Sequence, residues 1–429
     1  MESIISTASE DVLVAPLDFS IGKNSAQYIV SREQSTYFSS QNLVSPTGVK
    51  IAKFQVGQPT GFLDLSSLYF AFELTNTGGG ALQPLTAEAH CLFSRLIVRA
   101  AGTLCESIEL FSVGEEYVRR LLPLEKRKNL SAMFLGSSGG EEGHNLLSKT
   151  LAGGASQTVL FRPMTSSVLN LKKYWPALLL GAQGLTFELQ LANVEDAMAS
   201  AASTYEMRDL RILVDTVQLT SELTDQYTSL LLTGKSVFMD LEQSEATQHF
   251  LPGNSDKFSI SSARQFSRLN TLIAIFQRAP TVNVVVEQQV NNFYLPASAA
   301  KTLETNLVVN GSRQPLFNNK GTAEHWIRYL RGTGVYANIG TSTSTTLDSF
   351  QGVVNSGANT EARGFSVVFD LEKLPGHAQH TGQPIDSGGI VTLHVLGAGG
   401  VGEYVERVIL MHHFSSILEI RDSGCTLYT

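Results

Sequence analysis

The stretch Ala89 to Leu122, AHCLFSRLIVRAAGTLCESIELFSVGEEYVRRLL, is built twice in this chain, and a duplicated unit narrows the fold more than composition does. Its first copy reads as strand, turn, strand, helix. Leu92, Leu96 and Val98 mark a β-rich run, and Ala101-Gly102 break it where a turn needs a permissive backbone. Ile108 and Leu110 alternate with polar neighbours, the period of a half-buried strand. Val113, Tyr117, Val118 and Leu121 then fall at helical spacing, with Arg119 and Arg120 in the last turn, where cations suit the helix dipole. A shift of 209 positions carries Gly102 onto Gly311, Glu115 onto Glu324, Tyr117 onto Trp326, Val118 onto Ile327, Arg119 onto Arg328 and Leu121 onto Leu330, without a gap.

Flanking blocks repeat in the same order. A shift of 204 takes Phe54 to Phe258, Val56 to Ile260, Phe62 to Phe266, Leu65 to Leu269, Leu68 to Leu272 and Phe72 to Phe276. A shift of 199 takes Tyr205 to Tyr404, Arg208 to Arg407 and Leu210 to Ile409. Each copy contains about eight short β-patterned segments separated by turn residues, with one amphipathic helix in the middle. The expected fold is all-β, two tandem eight-stranded jelly-roll sandwiches, each with a short helix in a mid-domain loop. The expected boundaries are an N-terminal arm 1–43, a first jelly roll 44–219, a linker 220–240, a second jelly roll 241–422 and a C-terminal tail 423–429.

A length of 429 residues supports two such domains. Charged residues make up 16%, against an average near 25%, as suits a surface buried against copies of itself. Net charge is −8, and Lys126-Arg127-Lys128 is the longest basic run, which argues against direct packing of nucleic acid. Cys91, Cys105 and Cys425 do not make a disulfide framework, so reduced thiols are expected; Cys91 and Cys105 flank one strand-turn-strand and leave a pairing open. The first residues, MESIISTASEDVLVAPL, carry acids where a signal peptide is basic, and no run approaches a membrane span of roughly 18 apolar residues. The expectation is a soluble protein.

Several motifs invite chemistry. Gly397 to Gly402 fits G-x-G-x-x-G after a β-patterned run, but the following Val405 to Phe414 reads as a strand where a dinucleotide site needs a helix, so a hairpin loop is expected. Gly234-Lys235-Ser236 resembles the end of a phosphate loop, yet Ser229 stands where its leading glycine belongs. His412 and His413 are adjacent in a strand and point to opposite faces. His377 and His380 sit in a Pro/Gly loop with Asp386 as the one nearby acid. Glu115-Glu116 and Glu141-Glu142 read as a solvated helix start and loop, and Tyr117 and Trp326 as core anchors. The loops 125–149, polar and Gly-rich, and 332–359, rich in Gly, Ser, Thr and Asn, read as surface. No catalytic, cofactor-binding or metal-binding residues are assigned, and no enzyme activity is expected.

The pattern of Cys91 to Leu122, Phe365 to Lys373 (FSVVFDLEK), Thr381 to Ser387 (TGQPIDS), Ile390 to Leu396 and Arg407 to Phe414 resembles the double jelly-roll major capsid proteins of the adenovirus and tailless-phage lineage, and within it those of polinton-like viruses and virophages. The resemblance covers most of residues 45–422 and is architectural more than motif-based. It implies a virion shell component. Homotrimers would present six jelly rolls as a pseudo-hexagonal block and tile an icosahedral DNA-virus capsid. Its partners would be its own copies and neighbouring capsomers, then penton and minor or cement capsid proteins. An internal membrane or host receptor are further candidates, and sequence-specific nucleic acid is not one. The loops 125–149 and 332–359 would face outward or between subunits. The other readings are a tandem jelly-roll carbohydrate-binding module and a minor capsid or spike protein.

Overall fold

The computed structural model describes residues 28–57, 61–142, 145–252, 255–279, 288–296, 302–337, 343–351, 353–355, 358–360, 364–373, 381–385, 388–399, 405–421 and 424–429. The first half contributes β1 (Ile29–Phe38), β2 (Ile51–Val56), β3 (Phe62–Asn76), β4 (Phe93–Ala100), β5 (Thr103–Glu109), β6 (Ser156–Phe161), β7 (Leu185–Leu191) and β8 (Tyr205–Leu219). The second contributes β9 (Val237–Phe250), β10 (Lys257–Ser262), β11 (Phe266–Gln277), β12 (Glu304–Val309), β13 (Ser312–Lys320), β14 (Val367–Asp370), β15 (Val391–Leu396) and β16 (Arg407–Arg421).

The strand orders are β1-β8-β3-β6 facing β2-β7-β4-β5, then β9-β16-β11-β14 facing β10-β15-β12-β13. Adding eight to each strand number of the first half gives the second. The named pairings are antiparallel, and this order is a jelly roll in each half. The alternation read in the sequence sets the sandwich: in β7, Leu185, Phe187, Leu189 and Leu191 are buried and the residues between them half-buried.

Both hairpins of the repeated stretch turn in the same way. Ala101 and Gly102 have φ of 47° and 82°, and Asn310 and Gly311 have φ of 50° and 78°. Two consecutive positive φ values in a two-residue loop match the twist of the strands they join. Helix α1 (Phe111–Arg120) follows β5, and its counterpart α4 (Gly321–Gly332) follows β13.

Some boundaries fall elsewhere than expected. Within the expected arm 1–43, β1 pairs along β8, so the first sheet begins at Ile29. Within the linker 220–240, a helix spans Ser221–Leu232 (α3, after α2, Leu124–Ser131, in the first half) and β9 has begun by Val237. Val405 to Phe414 reads as a strand in the sequence; the observed strand, Arg407–Arg421, runs on past Phe414. In the tail 423–429, Gly424–Tyr428 pairs with β16. Gly397 and Gly399 have positive φ, but β15 and β16 lie in different sheets, so the two strands are not the arms of a hairpin. Residues 400–404, His377, His380 and Asp386 lie outside the described residues.

Candidate functional site

The seam between the halves is where the chain's unusual chemistry collects. Helix α1 belongs to the first half by sequence, yet its Val113 and Tyr117 join the core of the second. Tyr117 stacks on Phe293 at 6.4 Å and meets Tyr329 edge-on at 6.5 Å. Gly114 lets the helix lie close to β16, since a Cβ there would stand 3.3 Å from Met411 Cε. In return, Met239 and Leu241 of β9 and Leu418 and Ile420 of β16 join the core of the first half. Polar contacts run alongside. Gln243 donates to the Cys105 carbonyl, Thr103 Oγ1 to the Cys425 carbonyl at 2.9 Å, and Asn291 Nδ2 to the Leu85 carbonyl at 3.1 Å.

The polar face of α1 is buried in a charge network. Glu115 and Glu116, expected in solvent, are fully buried, as is Arg127 from the loop expected at the surface. Arg119 donates to Glu88 at 2.7 Å, to Glu115 at 2.9 Å and to the Arg162 carbonyl at 2.9 Å. Arg120 donates to Glu116 at 2.8 Å, and its guanidinium lies 4.0 Å from the Phe293 ring centre. Arg127 bridges Glu88 and Glu116, each at 3.0 Å. Glu115 also accepts from the amides of Met164 and Thr165 and from the Thr165 hydroxyl. Three carboxylates thus face three guanidiniums, the balance that buried charge requires. Burial pushes the Glu116 and Glu88 carboxyls up, but Arg127 with Arg120 for Glu116, and Arg127 with Arg119 for Glu88, outweigh it and hold both below the usual carboxylate range.

The network reaches across the seam. Ser344, from the loop 332–359, donates its amide to the Leu122 carbonyl at 2.8 Å and its hydroxyl to the Arg120 carbonyl at 2.9 Å. Arg127 donates to Ser344 Oγ at 3.4 Å. That part of the loop is therefore buried, where the sequence reading had it exposed.

Glu88, His90 and Glu116 present ligand atoms within 4.8 Å of one another. The set does not fit a divalent cation: Arg127 occupies the gap between the two carboxylates, and a metal would sit against guanidiniums already matched in charge. His90 Nε2 is 3.1 Å from Glu116 Oε2 but off the line a hydrogen bond needs. His412 is buried and His413 half-buried on opposite faces of β16, and burial lowers both to about 4. The cysteines are free thiols; burial pushes Cys91 up to about 11 and Cys105 to about 12, far from a reactive thiolate.

One serine–histidine contact escaped the sequence reading. Ser259 Oγ and His394 Nδ1 are 2.7 Å apart, directly opposite on β10 and β15. Ser261 and Thr392 make the next pair along the same face at 2.9 Å, so this is a row of cross-strand polar pairs rather than a nucleophile with its base. The nearby Glu304 is taken by Asn318 and Lys320. A cleft of about 600 Å³ opens beside α1, lined by Val118, Leu121, Lys172, Asp240, Glu372 and His413. Its walls mix both signs of charge. Among the described residues no helix is long and apolar enough to cross a membrane.

No family model matches the sequence, and no curated protein matches it either. The fold has close counterparts among solved structures. The major capsid protein of Faustovirus superposes with a TM-score of 0.63 at 6% identity, over 97% of this chain and 94% of that one. A chain of the Sputnik virophage structure gives 0.59 at 11% identity, over 97% and 92%. The mavirus major capsid protein gives 0.54 at 10% identity, over 97% and 95%. The fold is thus the double jelly roll of these capsid proteins, as the sequence resemblance implied.

Proposed function

We propose that this chain is the major capsid protein of a DNA virus, and that its copies associate as homotrimers, six sandwiches forming a pseudo-hexagonal block that tiles an icosahedral shell. The observation that carries the reading is the seam. Two sandwiches of equivalent strand order exchange core residues, and Ser344 of the second half hydrogen-bonds the end of the helix that carries the first half's buried charge network, so they meet a neighbour as one two-lobed body rather than as beads on a linker. A superposition that spans 97% of the chain supports the same reading, since it leaves little chain outside the shell-forming architecture. The sandwiches that act as lobes are 44–219 and 241–422, extended by β1, by the start of β9 from Val237 and by Gly424–Tyr428. The solved structures that share this fold are capsid proteins, which supports a structural, non-enzymatic role. The chain would be made as a soluble subunit in the host cell and end in the virion. There it would contact neighbouring capsomers, penton proteins and minor or cement proteins. An internal membrane or a host receptor would be reached through its outer or inner loops.

The test is the mass in solution by light scattering, with negative-stain images of the same peak. A particle near three times 46.5 kDa with a hexagonal outline is expected. A monomer that binds glycans would overturn the shell reading and favour a tandem carbohydrate-binding module.

A further inference from the structure

The two halves carry the same tripeptide at the same place. Glu33-Gln34-Ser35 lies in β1 and Glu242-Gln243-Ser244 in β9, a shift of 209. The strand registers agree: Glu33 pairs with Thr216 of β8, and Glu242 with Ser415 of β16, its counterpart under the shift of 199. The surroundings differ. Gln243 is 6% exposed and donates to the carbonyl of Cys105, where β5 bulges at the edge of the first half. Gln34 is exposed.

The other side of that contact is also duplicated. Strand β13 is the edge of its sheet, as β5 is of its own. Cys105 corresponds to Gln314 under the shift of 209. In β5 the register skips one residue between Leu104 and Glu106, and in β13 it skips four between Gln314 and Asn319. The longer bulge holds Leu316 at 72% and Phe317 at 80% exposure. The first half thus covers its edge bulge with β9 of the second half, while among the described residues the second half's edge bulge and Gln34 of β1 are exposed.

We propose that the bulge Gln314 to Asn318 of one copy docks on β1 of a second copy, with Gln34 taking the part that Gln243 plays inside the chain. The inference rests on the self-association proposed above and names its surface. The contact is heterologous, one face of each copy against the other face of the next, and such contacts close into rings when the rotation permits. Strand β1 is suited to burial. Phe38 is 65% and Val30 66% exposed. On the face of β1 that carries Gln34, the charge is already met: Arg32, which stands where β9 has Leu241, pairs with Asp64 at 2.6 Å and Asp215 at 2.9 Å, while Glu33 alternates to the other face. Covering the Gln34 face leaves no lone charge there. An apolar bulge on an open sheet edge is otherwise a template for aggregation.

The test uses the full chain with Cys425→Ser throughout. Gln34→Cys and Leu316→Cys together, treated with a short bismaleimide, should give covalent dimers and closed trimers; either substitution alone should give neither. Leu316→Asp with Phe317→Asp should shift the mass to monomer and leave the melting of the monomer's circular dichroism unchanged. A native trimer that neither cross-links at these sites nor responds to the aspartates overturns this surface and leaves the trimer standing. A native monomer overturns both.

Discussion

Arg127 sits fully buried with its guanidinium between Glu88 and Glu116 and its edge toward Ser344. Removing one member of a buried pair leaves the other charge without water or partner, a loss of about 3–5 kcal/mol. Arg127→Met should therefore destabilise the chain by about that amount at neutral pH. Arg127→Lys should not restore it, because a point charge cannot span two carboxylates. The pH dependence sharpens the test. The Glu88 and Glu116 carboxyls lie below their unfolded values, so their stabilisation is present above the unfolded carboxylate range and is lost as pH falls through the folded values. Without Arg127 their folded values rise toward the unfolded ones, so the variant, weaker at neutral pH, should lose less stability on acidification, and the two curves should converge as pH falls. Urea midpoints measured across pH for both proteins check this; parallel curves would sink the idea. The network was not legible in the sequence. Glu115-Glu116 followed four residues later by Arg119-Arg120 is the spacing of a solvated helix face, and the same spacing serves a buried one. Only the segments packed over α1, from Glu88, Arg127 and Ser344, separate the two cases.

At the scale of elements the duplication was legible because it is written in turn glycines and strand periodicity, both local. Gly102 and Gly311 mark turns of the same conformation, and the shifts of 209, 204 and 199 bring β4, β3 and β8 onto β12, β11 and β16. What failed was also local in origin. Strand β1 keeps much of its surface exposed, so IVSREQSTYF shows too few apolar residues to separate a strand from an arm. Helix α3 buries Leu231 and little else, so SELTDQYTSLLL lacks the stripe that marks a packed helix. The glycine motif shows the limit of pattern reading: its first glycine is required by backbone packing. A Cβ on Gly397 would stand 2.2 Å from the Thr302 carbonyl oxygen at φ of 73°, whereas Gly311, at φ of 78°, faces open space. Gly311→Ala should lose about 1–2 kcal/mol from the left-handed backbone alone. Gly397→Ala adds a backbone collision and should lose about 3 kcal/mol or more. Chemical unfolding of the two variants decides; equal losses would mean that Gly397 has no packing role.

For the molecule as a whole, the exchange of residues at the seam sets how it unfolds. Residues of β9 and β16 complete the first core, and α1 completes the second, so neither half keeps a full core alone. Two sandwiches on a linker would melt separately. Two sandwiches that share cores should melt together, because losing either exposes apolar surface of the other. Tyr117 is the sharpest probe. It belongs to the first half by chain order, but its ring packs on Phe293 and Tyr329 of the second. Tyr117→Ala should cost about 3 kcal/mol, in the range of buried aromatic truncations. Calorimetry should show one transition before and after the substitution, moved to lower temperature as a unit. Two transitions in the native chain, with Tyr117→Ala shifting only the one that belongs to the first half, would mean that the seam is a contact between independent domains. A single transition would instead make each copy one cooperative block, and the strain of meeting neighbours through β1 and β13 would then be borne by both sandwiches at once.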